Sequence, residues 1–169
     1  MFPIFWTILW SVCWAATVVA GVLSVRSRRA MHVGRAAVGV LMLLGGAVFN
    51  LVQLVSGSDY SGFAEQAHFR WVTGSWEAVV VPNHVVLIAL LVVFEATVGV
   101  LVLSGGRRTR LGYLGAIAFH LALWLFSWFL TVYCLLMLPA LLLLLRAERR
   151  AASAPGAHPD AKPQAGVGP

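Results

Sequence analysis

Long apolar runs alternate along this chain with short polar or basic breaks, and each run is long enough to cross a bilayer. Residues 4–24 are almost wholly apolar and are followed by Arg26, Arg28, Arg29 and Arg35. No charge precedes that run, so the pattern predicts a retained helix rather than a cleaved signal. A second span is predicted over residues 36–55 and a third over 84–104. Residues 111–145 are nearly uninterrupted apolar sequence. As one helix they would extend about 52 Å, too far for an apolar core of about 30 Å. Two helices joined by a tight turn near residues 127–131 fit instead, although that turn has neither Gly nor Pro. Pro139 falls inside the fifth helix.

The one long polar connection is residues 57–83, which carries Asp59, Glu65 and Glu77 against Arg70. The spacing of Phe63, Ala67, Arg70, Trp71 and Trp76 predicts a short amphipathic helix on the membrane surface, then a turn at Pro82 and Asn83. Such a segment either caps a cavity or merely connects two spans. Trp6, Trp10 and Trp14 share a face of the first helix, as interfacial anchoring or helix packing requires.

Composition turns this pattern into a class. Hydrophobic residues make up 60% of the 169 and charged residues 11%, and the mean hydropathy is +0.88. The chain reads as an all-α integral membrane protein with five spans. Its net charge of +6 does not indicate nucleic acid. All the arginines but Arg70 sit in three clusters, Arg26–Arg35, Arg107–Arg110 and Arg146–Arg150, each against the end of an apolar run. By the positive-inside rule these clusters, and the C-terminus, are expected on the cytoplasmic side, with the N-terminus outside. Beyond Arg150 the Pro/Ala/Gly-rich residues 151–169 are expected to be a disordered tail.

Two ionisable groups interrupt the spans, Glu95 in the third and His120 in the fourth. Glu95 lies twelve residues before Arg107 and His120 ten after Arg110, so both sit roughly 15–18 Å from the basic segment, near mid-membrane. A carboxylate and an imidazole at one depth on consecutive helices are expected to meet. They would then either handle a proton or a ligand headgroup, or simply join helices. Trp124 shares the His120 face. Asn50 and Gln53 place amides near the far end of the second span, for a ligand or for another helix. Gly45, Gly46 and Gly99 are expected helix-packing positions. Cys13 and Cys134 are isolated, without a C-x-x-C pair, and read as buried thiols. No histidines fall at metal-ligand spacing, and no P-loop, Rossmann or HExxH motif occurs, so neither a metal nor a nucleotide is expected.

The stretches RAAVGVLMLLGGAVFN (35–50) and VVFEATVGVLVLSGGRRTRLGYLGAIA (92–118) carry a family resemblance. They resemble the DoxX family of small bacterial four-helix membrane proteins, which includes the DoxD-like subunit of thiosulfate:quinone oxidoreductase. In that family a glutamate, a downstream glycine and a Gly/Arg-rich turn recur in this order, matching Glu95, Gly99 and Gly106–Arg110. The resemblance covers about 110 residues. It implies a DoxX-like four-helix transmembrane bundle over residues 25–150, with residues 1–24 as one extra N-terminal transmembrane helix. It also implies a bacterial plasma-membrane location, a redox-complex partner and proximity to quinone.

Three functions follow as expectations. The first is a quinone- or lipid-binding membrane subunit with a polar centre at Glu95 and His120, accessory to an oxidoreductase. The second is a non-enzymatic scaffold or assembly factor, as partner of a redox subunit or of a second copy. The third is a small proton-coupled transporter. No covalent cofactor motif is present, so redox chemistry would come from a bound quinone or another subunit.

Overall fold

The computed structural model describes residues 4–153, and among these every regular element is helical. Five helices are long and apolar enough to cross a membrane: α1 Ile4–Leu23, α2 Arg28–Val55, α3 Arg70–Leu103, α4 Gly106–Phe126 and α5 Trp128–Ser153. The chain is an all-α integral membrane protein. Its outer surface carries Ile8, Val12, Val19, Leu90, Val93, Val132 and Leu135, each more than half exposed. So much exposed aliphatic surface is intolerable in water and is what a bilayer solvates.

The helices form a closed ring. α1 packs against α2 and α5, α2 against α3, α3 against α4, and α4 against α5. The N-terminal helix thus completes the bundle rather than lying outside it. Glycine sets several of the seams. A Cβ added at Gly21 would lie 2.8 Å from the Ala140 Cα, joining α1 to α5, and one at Gly112 would lie 2.5 Å from the Val102 backbone nitrogen, joining α4 to α3. Inside the ring Val38, Val102, Tyr113, Ala116, Met137, Leu141 and Leu144 are fully buried.

The connections depart from the sequence expectations in four places, each for a local reason. α2 begins at Arg28, eight residues before the predicted start, because the Ser27 hydroxyl accepts the Ala30 backbone N–H at 3.3 Å and caps the helix. The predicted basic turn at Gly106–Arg110 is instead the first turn of α4. The chain reverses at Ser104 and Gly105, where Gly105 takes φ 86°. The Thr109 hydroxyl accepts the Gly105 N–H at 2.8 Å and donates to the Val102 carbonyl at 2.9 Å, so one buried side chain holds the reversal.

The turn between α4 and α5 comes at Trp124–Ser127, earlier than the predicted 127–131. A 3₁₀ turn over Trp124–Phe126 runs into an extended Ser127, whose hydroxyl caps the Leu130 N–H at 3.2 Å. That serine does the work for which Gly or Pro was missed.

The largest departure concerns Pro82. Residues 70–83 are no surface helix ended by a turn: α3 runs unbroken from Arg70. A π-helical stretch, Trp76–Val80, widens the backbone ahead of Pro82, and a 3₁₀ turn over Val81–Asn83 follows. The Asn83 amide donates to the Val79 carbonyl at 2.9 Å and the His84 Nδ1–H to the Val81 carbonyl at 2.7 Å, so side chains serve carbonyls in the irregular turns. At 34 residues α3 extends about 51 Å, and its first turns stand above the apolar core. The true loop is therefore residues 56–69. At the other end α5 continues to Ser153, and the remainder of the expected tail lies outside the described residues.

Candidate functional site

Glu95 is 2% exposed and faces α2. Its Oε2 accepts a hydrogen bond from the Asn50 side-chain amide at 2.9 Å. The carboxylate lies against Gly46, where an added Cβ would come within 2.7 Å of the carboxyl carbon and of Oε1. Gly46 belongs to a second π-helical stretch, Leu41–Val48, inside α2. There the Gly45 carbonyl accepts the Trp10 indole N–H at 2.8 Å. The wide turn and its two glycines thus receive a tryptophan from α1 on one side and a carboxylate from α3 on the other. π-turns of this kind recur at functional sites.

The expected meeting of Glu95 with His120 does not occur. His120 is buried, and its Nδ1–H donates to the Ala116 carbonyl at 2.7 Å. In that neutral tautomer Nε2 is an acceptor, and it lies 3.3 Å from the Tyr133 hydroxyl, which donates to it. Both ring nitrogens are engaged, one within α4 and one toward α5. Equal depth along the membrane does not ensure equal direction around the helix. Tyr133 in turn stacks on the His120 ring, at 5.6 Å between centroids, and on Trp10 at 5.6 Å. Trp10, Ser11, Trp14, Phe129, Val132 and Tyr133 line an open, membrane-facing groove of about 220 Å³.

Trp124 also lies apart from Glu95. Its ring meets His68 at 5.8 Å and Phe69 at 6.3 Å, where the loop docks on the α4–α5 turn. His68 further bonds the Thr131 hydroxyl at 2.7 Å. Gln53 is half-buried, and its side-chain amide makes no hydrogen bond among the described residues. Gly99 does serve packing: an added Cβ would lie 2.6 Å from Leu43 Cγ and 3.2 Å from the Gly39 carbonyl. Gly45 and Gly46 are likewise close-packed, one against Trp10 and the other against Glu95.

Residues 56–69 cover the Asn50 end of the site. The Tyr60 hydroxyl donates to the Asn50 backbone carbonyl at 2.9 Å, and the Trp76 indole N–H donates to the Tyr60 carbonyl at 2.9 Å. Tyr60 adopts φ 59°, a left-handed conformation unusual for a non-glycine residue. Burial, and secondarily the charge of Glu95, raises its phenol above the ordinary value. The neighbouring Asp59 carboxyl is held below its usual range by the Ser61 backbone N–H and then by the Ser61 hydroxyl.

A second polar contact was not anticipated. The Arg35 guanidinium donates through Nη2 and Nε to Glu148 Oε1, at 2.6 and 3.0 Å. Glu148 is 5% exposed and Arg35 18%, so the pair ties α2 to α5 near the arginine-rich end. The signal in sequence was that Glu148 is the one carboxylate set among the three arginine clusters. The Tyr113 hydroxyl and the Arg110 Nε are buried without a hydrogen-bond partner among the described residues.

No family model, curated protein or solved structure matches the chain.

Proposed function

We propose that this protein is a small membrane subunit whose working group is the Glu95 carboxylate, with Asn50 and Gly46 forming its polar seat. In this reading Glu95 takes up a proton or bonds the headgroup of a membrane-soluble ligand, with a quinone as the leading candidate. The redox group itself belongs to a partner subunit. The observation that supports this reading is the poverty of the Glu95 surroundings: a buried carboxylate in a lipid-solvated bundle, with one amide donor and no cation bonded to it among the described residues. Holding an unpaired carboxylate at that depth costs at least about 2.5–3.5 kcal/mol, which structure alone gives little reason to accept. The resemblance to the DoxX family points the same way, and with it a bacterial plasma membrane and an arginine-rich cytoplasmic face.

A scaffold reading has its own support, since the Asn50–Glu95 bond joins α2 to α3 and so serves as interhelical glue. Native mass spectrometry of the protein in mild detergent separates the two. Quinone retained by the parent and lost in Glu95→Gln supports the first reading. Retention unchanged by the substitution supports the scaffold.

A further inference from the structure

The surroundings of Glu95 differ sharply between its two ends. Toward the arginine-rich end Val98, Val102, Val38, Leu41 and Met42 are all buried. The backbones there approach so closely that a Cβ at Gly99 would lie 3.2 Å from the Gly39 carbonyl, and one at Gly112 2.5 Å from the Val102 nitrogen. Water has no room between helices packed this tightly. Toward the loop end the cover comprises Ile88, buried two turns along the Glu95 face of α3, and the half-buried Tyr60, bonded to the backbone of the same Asn50 whose amide holds Glu95. Tyr60 sits next to the exposed Asp59 and Ser61 and is held at positive φ. The bonds that keep it there, its hydroxyl to Asn50 and its carbonyl to Trp76, hold a conformation that the backbone does not favour on its own. A cover of that kind opens more readily than the helix seams below it.

We infer that Glu95 communicates with one face only, the loop face, and that Tyr60 is the plug controlling access to it. This inference rests on Glu95 being the working group, and it adds the side from which a proton or polar headgroup reaches it. Release of the Tyr60 hydroxyl from the Asn50 carbonyl uncovers the Asn50 end of the site, while the valine-lined seams keep the opposite face closed.

The test is side-specific thiol labelling in sealed vesicles. The background carries Cys13→Ala and Cys134→Ala, with Ser61→Cys and Arg108→Cys marking the two faces. A membrane-impermeant methanethiosulfonate is expected to modify Glu95→Cys from the loop face only. Tyr60→Phe should raise the rate about two- to tenfold, the effect of one lost hydrogen bond on an opening equilibrium. Tyr60→Gly, which relaxes the backbone as well, should raise it further. Modification from the arginine face, or equal rates across the three residues at position 60, would overturn the inference. A second measurement uses Glu95 itself. A water-soluble carbodiimide with an amine nucleophile should tag it faster in Tyr60→Gly than in the parent, and equal rates again contradict the plug. Accessibility does not depend on activity. A fully active Glu95→Gln would therefore remove the functional reading and leave these rates as they are.

Discussion

The Asn50 side-chain amide reaches across 45 residues of sequence to bond Glu95 at 2.9 Å. It makes α2 and α3 a single unit about the deepest acidic side chain in the bundle. Interhelical hydrogen bonds within membranes contribute about 0.6 kcal/mol on average and at most about 1.7. Asn50→Leu is therefore expected to lower thermal stability in detergent only slightly. Its larger effect should be on any ligand or proton-linked property of Glu95, which loses the Asn50 donor. Severe unfolding of Asn50→Leu would show that the bond is chiefly structural.

Gly46 is expected to show non-additivity with Glu95. An added methyl would meet the carboxyl group at 2.7 Å, and overpacking of this kind costs about 1–3 kcal/mol. Gly46→Ala should therefore destabilise the parent but be tolerated in Glu95→Ala, where the clashing group is gone. Detergent melting curves of the four variants give the coupling. Additive effects would mean that Gly46 does not seat the carboxylate.

The Arg35–Glu148 pair should behave as a structural tie. Removing one partner of a buried pair costs about 3–5 kcal/mol, and the lower end applies because Arg35 stays partly exposed. Arg35→Leu and Glu148→Leu are each expected to reduce accumulation and thermal stability, and the double variant to recover much of the loss. No recovery in the double variant would indicate that the two side chains act separately.

Much of the fold was legible because a bilayer imposes run length and solvates aliphatic surface. α1 and the lower part of α3 follow from hydropathy alone, since Ile4–Leu23 and, Glu95 apart, His84–Leu103 are long apolar runs. The connections were not legible, because each depends on one side chain acting at short range. Ser27 and Ser127 cap helices where hydropathy gives no signal, and Pro82 is absorbed by a π-turn that residue preferences do not report. Glu95 stood out as a lone acid in an apolar run. Its partner did not, because rise per residue fixes depth but not azimuth, and His120 turns toward Tyr133 while the smaller Asn50 fills the place. Glu148 escaped notice within RAERR, where a carboxylate reads as part of a solvated charged run.

Topology is open to a direct check. Five spans place the three arginine clusters at one end and residues 56–69 at the other. Arg70→Cys and Arg108→Cys in a chain free of other cysteines should label from opposite sides of intact cells, residue 70 from outside. Labelling of both from the same side would contradict a five-span arrangement.

The most direct test of Glu95 as the working group is the comparison of Glu95→Gln with Glu95→Leu. Gln keeps shape and hydrogen-bonding capacity but cannot titrate, whereas Leu loses both. Co-purified quinone and whole-cell respiration are measured per amount of assembled protein. Glu95→Gln is expected to accumulate like the parent but to lose quinone retention and activity, as Glu95→Leu does. Full retention and activity in Glu95→Gln would contradict that role and leave Glu95 as a joint between two helices.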